Sequence, residues 1–294
     1  MFVYRRGWLK GDCPECGKDK KYGVNIALNR TNCFSCGYKK SPIDVIADVE
    51  NLVTRNEVYS LLGTFEGLEY YEEELKPYEL KENVSLPDSY HNIKRGKSIM
   101  GKAARAYVKK RGFDIEKVSK SGWGYCTKGK YMGYLIMPFY QGGKLVYFNA
   151  RKYLFDGPKF NNPEVEDFGI GKSMLMYNVD SLYLYDRVWV VEGLMNAETI
   201  GENALSTGGK KFSNYQVNLI LKSPVKRVII GFDNDGLDDA IKIALKLQPF
   251  KKVKIVKFKD DRDINDLGRN RTIRLSNRER YLSYNDLIKL KNSL

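Results

Sequence analysis

The chain is short of acid. Its 294 residues carry 36 Asp plus Glu against 50 Lys plus Arg, a formal net charge of +14. It also lacks a long apolar run, and none approaches the roughly 18–20 residues that a membrane-spanning helix needs. Its first residues, MFVYRRGWLKGD, are charged where a secretory signal requires an apolar block. These absences argue against a membrane partner. We expect a cytoplasmic protein, in a host cytoplasm if the origin is viral. Internal repeats and low-complexity tracts are missing as well. Cysteine is sparse, yet four of the five cysteines fall within the first 40 residues.

What is present points to a folded, polyanion-binding chain. The hydrophobic content of 43% supplies a real core, and the length allows one large domain or two to three modest ones. A basic surplus suggests a polyanionic partner. A merely lysine-rich composition would spread that charge along the chain, but here it is segregated. Residues 1–40 hold nine basic and three acidic residues, and residues 91–130 hold twelve and two. Residues 66–82 reverse the sign, with seven Glu against two Lys. Such segregation fits binding surfaces separated by an acidic spacer.

The expected organisation follows these shifts. Residues 1–62 form a cysteine-rich unit with a trailing helix over about 42–62, capped by Ser41 with Pro42 in its first turn. Residues 63–90 form an acidic linker. Residues 91–180 form a basic region that opens with the helix KAARAYVKKRG, ended by Gly112. The strands YLIMPFY and KLVYFNARKY follow, joined by a turn at Gln141-Gly142-Gly143. Residues 181–268 alternate: RVWVVEG, RVIIGFD and KVKIVKF read as strands, MNAETIGEN and DDAIKIALKL as helices. Continuously apolar strands alternating with helices imply a parallel sheet and an α/β fold class. Residues 269–294 are a basic tail, helical in part.

Cys13, Cys16, Cys33 and Cys36 form the pattern C-x2-C-x16-C-x2-C. Tetrahedral zinc needs four soft ligands from two tight turns, and Gly17 and Gly37 suit those turns. Disulfides are disfavoured in a cytosol, and a redox pair does not account for two matched knuckles. One structural zinc ion is therefore expected. Cys126 lies outside the pattern and reads as an inert buried thiol. Around the knuckles, Lys18, Lys20, Lys21, Arg30, Lys39 and Lys40 interleave with Tyr22, Phe34 and Tyr38. Cations beside aromatics suit single-stranded nucleic acid, whose backbone is charged and whose bases stack.

The stretch GFDNDGLDDA places Asp233, Asp235, Asp238 and Asp239 within seven residues of a basic chain. Glu192 ends one expected strand, Asp233 and Asp235 the next, and Asp263 and Asp266 follow the third. Strand C-termini in a parallel sheet converge on one crevice. Carboxylates this close repel unless a cation lies between them, and a half-open oxygen site suits Mg²⁺. Turn and helix caps would account for one or two of these acids, not for acids after three successive strands. Gly171-Lys172-Ser173 is not the end of a P-loop, because that pattern needs glycine at 166, where the residue is Glu166.

Glu-Gly after one strand and Asp-x-Asp after the next resembles the Toprim signature, shared by primases, topoisomerases, certain nucleases and recombination mediators. The middle region narrows the choice. YVKKRGFDIEKVSKSGWGYC, YLIMPFYQGGKLVYFNARKY, GPKFNNP and GKSMLMYN resemble, in order, the N-terminal part of the DnaG-type primase catalytic core. The cysteine unit, NCFSCG included, is similar to the zinc-binding domain of phage-type primases. The resemblance covers residues from about 10 to 268. It departs from bacterial members at Asn196, where many carry aspartate, at Asn265 between Asp263 and Asp266, and in a shorter GPKFNNP segment. The 26 residues after Gly268 are too few for the bacterial helicase-binding domain.

The resemblance implies a Toprim parallel-sheet domain preceded by an α+β basic primase subdomain and a small zinc ribbon. It implies RNA primer synthesis on a single-stranded DNA template from ribonucleoside triphosphates, with a replicative helicase as partner in trans. Arg151, Lys159, Asn161 and Lys172 would hold DNA or nucleotide. Asp233 and Asp235 would bind Mg²⁺ or Mn²⁺, with Asp263 as a secondary ligand. Glu192 would be a further ligand or the general base, two roles that spacing does not separate. The alternatives are a Toprim nuclease or topoisomerase-like strand cleaver, and a non-enzymatic recombination mediator.

Overall fold

The computed structural model describes residues 2–4, 8–25, 30–51, 58, 84–209, 212–258 and 262–293. Among these residues lie three four-stranded sheets.

The first sheet is an antiparallel meander of β1 (Phe2–Tyr4), β2 (Trp8–Gly11), β3 (Tyr22–Asn25) and β4 (Arg30–Cys33). Helix α1 (Pro42–Val49) follows it, and the Ser41 side chain accepts a hydrogen bond from the Asp44 N–H, as expected of an N-cap. The rest of the expected 42–62 helix, apart from residues 50, 51 and 58, lies outside the described residues, as does most of the acidic linker. Cys13, Tyr22, Cys33 and Val45 form the core of this unit. Tyr22, expected among the aromatics beside the cations, is therefore a buried core residue with no face open to a base.

The second sheet has the order β5 (Tyr90–Asn92), β6 (Gly124–Cys126), β7 (Tyr134–Gln141), β8 (Lys144–Lys152), all antiparallel. Helices α2 (Ile99–Lys110) and α3 (Ile115–Lys120) lie between β5 and β6 in sequence. Gly112 has φ 80°, the left-handed conformation that turns the chain out of α2. Cys126 is fully buried, and burial pushes its thiol up to about 11, in keeping with an inert role.

The third sheet is parallel. Its strands are β9 (Arg187–Val191), β10 (Ala204–Ser206), β11 (Arg227–Gly231) and β12 (Lys252–Ile255), in the spatial order β10-β9-β11-β12. Helices α4 (Leu194–Ile200), α5 (Asn214–Lys222) and α6 (Leu237–Leu247) connect them. Both faces are covered, which is why the strands read as continuous apolar runs. Trp189, Val191 and Ile229 point into a core shared with the second sheet. Their alternates Val188, Val190, Val228 and Ile230 point into a core with α5 and α6. The basic region and the parallel sheet are thus joined by one apolar core.

Residues beyond 268 fold onto this body. Helices α7 (Arg269–Arg278) and α8 (Tyr284–Lys291) follow in sequence. Leu287 is buried in the second core, and the Leu282 N–H donates to Val253 O beside the sheet edge. Among the described residues, no helix is long and apolar enough to cross a membrane.

Candidate metal centres and nucleic-acid interface

The four cysteines come together from two matching turns. The Cys16 N–H approaches Cys13 Sγ at 3.5 Å and the Cys36 N–H approaches Cys33 Sγ at 3.4 Å. Gly17 and Gly37, with φ of 68° and 77°, close the turns by donating to the Cys13 and Cys33 carbonyls. Cys13 Sγ lies 3.7 Å from Cys36 Sγ, and Cys16 Sγ lies 3.8 Å from Cys33 Sγ. Tetrahedral Zn–S bonds of about 2.3 Å place sulfurs about 3.8 Å apart, so the donor set and its spacing fit zinc. The N–H groups of Cys36 and Ser35 hold the Cys33 thiol down to about 6, favouring the thiolate that a metal requires. Phe34 is 58% exposed on this unit, with Lys10 Nζ 5.5 Å from its ring centre.

The carboxylates converge by a different route. In the parallel sheet, Ile230 pairs with Val190 and Gly231 with Val191, so the chains leave β9 and β11 at the same level. Glu192 follows β9, and Asp233 and Asp235 follow β11. The β9–β10 connection moves to one side and the β11–β12 connection to the other. The gap between β9 and β11 is therefore the topological switch point, where α/β sheets open a crevice. Glu192, Asp233 and Asp235 each place a carboxylate oxygen there, all within 4.8 Å of one another. Glu192 is buried, Asp233 is half-buried and Asp235 is exposed, giving a site walled on one side and open on the other. A Cβ on Gly236 would collide with Glu192 Oε1, so glycine keeps the backbone close to the carboxylate. A close-set oxygen donor group that is half open fits a hard divalent cation.

The other acids of this stretch have structural partners. Asp238 and Asp239 both pair with Lys242 on α6, at 2.7 and 3.2 Å. Asp233 sits where a cap would, but its side chain makes no capping hydrogen bond. Asp263 does not join the described group. Its side chain caps the turn Ile264–Leu267 by accepting from the Asp266 N–H. It also lies 3.9 Å from Arg111, whose guanidinium is 4.0 Å from Asp266. Asn196, one turn into α4, accepts the backbone N–H of Asn265 at 3.2 Å and so ties α4 to this turn.

Lys172 lies beside the crevice. Its methylenes cover Gly208 and its Nζ approaches Gly209, in the loop after β10. That loop is bound to the acidic site, because Ser206 Oγ donates to the Glu192 carbonyl at 2.7 Å and accepts from the Gly208 N–H at 3.0 Å. Burial lowers the Lys172 pKa, since desolvation disfavours the ammonium. Arg151, Lys159 and Asn161 form a second group, around Phe160. The Arg151 guanidinium lies 5.5 Å and Lys159 Nζ 5.7 Å from the Phe160 ring centre. Arg151 Nε donates to Tyr107 Oη, and Asn161 Nδ2 donates to the Lys130 carbonyl. Phe160 is 39% exposed, an aromatic face flanked by two cations. Phe160, Ser206, Thr207 and Arg111 join these sites without being among the expected residues. The Gly-Gly at 208–209 was a visible signal, but the three-residue strand before it was too short to show a period.

No family model matches the chain, and no curated protein matches it in sequence. Solved structures do match its fold. The Aquifex aeolicus primase zinc-binding and RNA polymerase domains superimpose with TM-score 0.52 at 18% identity, over 95% of this chain and 80% of that one. The E. coli primase catalytic core gives TM-score 0.57 at 17% identity, over 69% and 81%. A DnaG primase catalytic domain bound to single-stranded DNA gives 0.55 at 18%, over 67% and 79%. The chain therefore has the fold of the primase zinc-binding unit and catalytic core. The expected mixed α/β class, with its parallel sheet and four-cysteine unit, is observed.

Proposed function

We propose that this protein is a template-directed RNA primase. The observation that carries the reading is the meeting of Glu192, Asp233 and Asp235 at the switch point of the parallel sheet. The primase fold of the similar structures supports it. In this reading residues 181–268 are a Toprim domain, residues 91–180 the basic subdomain and residues 1–62 a zinc ribbon holding one structural Zn²⁺. Asp233 and Asp235 hold Mg²⁺ or Mn²⁺, and Glu192 completes the donor set. When bound, the cation neutralises charge developing on the phosphates during nucleotidyl transfer. Asp263 stays with Arg111, outside that set.

The remaining residues bind and orient. Lys172, held against the glycines after β10, meets nucleotide phosphate near the acidic crevice. Arg151 and Lys159 hold the template backbone while Phe160 offers a face for a base. Asn161 keeps that segment in place. The exposed Phe34 and its neighbouring lysines engage the template upstream. The single-stranded DNA in one similar structure supports a single-stranded template. Ribonucleoside triphosphates are the second substrate, and a cytoplasmic replicative helicase acting in trans exposes the strand.

Incubation of the pure protein with single-stranded DNA, labelled ribonucleoside triphosphates and Mg²⁺ tests this. Short RNA products that depend on template and metal are expected. Shortened or nicked DNA would instead indicate a strand cleaver, and binding without any product a recombination mediator.

A further inference from the structure

We infer that the exposed arginine face of α7 is a further contact surface for the backbone of the single-stranded template; this rests on the primase reading above. The first observation is compositional. The chain holds 34 Lys and 16 Arg, and its basic stretch 91–130 mixes nine Lys with three Arg. Residues 262–280 carry six Arg and no Lys. A surface basic only because the chain is lysine-rich would not exclude lysine here. Arginine offers a planar fork that grips phosphate through two hydrogen bonds, whereas lysine acts as a point charge.

The second observation is geometric. Two of these arginines have places in the fold. Arg280 makes a bidentate pair with Asp286, at 2.9 and 2.7 Å, and Arg269 lies against Gly201. Arg271, Arg274 and Arg278 are exposed, and their i, i+3, i+7 spacing puts them on one face of α7. Among the described residues, no carboxylate pairs with any of the three. The opposite face is fixed: Thr272 and Ser276 are buried, and the Ser276 carbonyl accepts from the buried Lys254 Nζ at 2.7 Å. The arginines therefore stand on a helix that is already anchored, so little order is lost on binding.

The third observation is position. α7 starts directly after the turn Ile264–Leu267, which carries Asp263 and Asp266 and is tied to α4 through Asn196. α4 in turn begins two residues after Glu192. α7 therefore starts against the C-terminal end of α4, the helix that leads away from Glu192. The arginine face spans about 10 Å along the helix axis, enough to follow one strand over a few phosphates. The single-stranded template of the primase reading is the polyanion it would meet.

The test is binding without nucleotide or divalent metal. Anisotropy of a labelled single-stranded DNA oligonucleotide is measured across a sodium chloride series for the parent and for R271A/R274A/R278A. At moderate salt the variant should bind about tenfold or more weakly, and its log–log salt slope should fall by about two, since each single-strand phosphate contact contributes about 0.7. R271K/R274K/R278K should keep most of the slope while losing part of the affinity. Parental affinity and slope in the alanine variant overturn the inference. So does a loss confined to an equal-length duplex or to a poly-glutamate peptide probe. Should the alanine variant fail to fold, by melting or zinc content, R274Q/R278Q carries the same test with a slope change of about one. Because no synthesis is measured, a chain that makes no primer but loses binding here refutes the primase reading alone. A primer-making chain whose alanine variant binds normally refutes the arginine surface alone.

Discussion

The thiolate cluster near the N-terminus and the carboxylate cluster at the parallel sheet are each ready for a metal, but they are assembled differently. The thiols come from two tight turns within a span of 24 residues, and backbone N–H groups in those turns already stabilise the Cys33 thiolate. The carboxylates come from strands whose neighbours in space are not neighbours in sequence. Packing of the cores on the two faces of the sheet brings those strand ends together. The first cluster should therefore be bound up with the folding of its unit, and the second only with chemistry. Substitutions in the two clusters should act in opposite senses.

The largest effect is expected from Cys33→Ser. Among the described residues this unit has a core of four buried side chains, and small units commonly depend on their metal to fold. Elemental analysis should show zinc falling from about one per chain to near zero, with loss of order in this unit and of template-dependent initiation. Full zinc content in the variant would break the comparison. In the parent, zinc affinity should fall as pH drops and protons compete for the thiolates, with Cys33, which the Cys36 and Ser35 N–H groups stabilise as a thiolate, resisting protonation most.

Asp235→Asn should act in the opposite sense. Removing one of three crowded carboxylates relieves repulsion, so without metal the melting temperature should stay level or rise slightly. Primer yield should drop about 10²–10³-fold, corresponding to a few kcal/mol of lost transition-state stabilisation. A lowered melting temperature with activity that follows the folded fraction would instead make Asp235 a structural residue.

The smallest effect is expected from Lys172→Met. The half-buried ammonium is costly to desolvate, and its pKa is depressed for that reason. A lysine with a lowered folded-state pKa binds fewer protons folded than unfolded, so parental stability should climb as pH rises through that pKa toward 10.5. The methionine variant should lack this climb and melt slightly higher at neutral pH. Its binding to single-stranded DNA or nucleotide should weaken, with a salt slope lower by about 0.7. Unchanged binding would return Lys172 to a packing role.

Much of this was legible because it is local. The cysteine spacing, the Ser41 cap, the helix stop at Gly112 and the apolar strands each follow from residues a few positions apart. The burial of Tyr22 is not legible in its sequence neighbours, which are polar and charged, because its neighbours in space are Cys13, Cys33 and Val45. β10 escaped notice because three residues show no period, and with it went the Ser206 and Thr207 loop that supports Glu192. The last 26 residues read as a tail because their charge hides the scattered apolar residues, Ile273, Leu275, Leu282, Leu287 and Leu290, that dock them.

The pieces follow from the residues alone: a zinc-type ligand set, apolar strands that must be buried on both faces, and acids at the strand ends. Which acids meet is set by how the strands pack. Strand order put β9 beside β11 and opened the crevice there, which joined Glu192 to Asp233 and Asp235. The same packing brought Arg111, from the basic region, against Asp263 and Asp266 and drew them into ion pairs. Spacing along a chain cannot separate these two outcomes, because each acid follows a strand in the same way. What separates them is the partner that a distant segment delivers, and that is settled by long-range packing of cores.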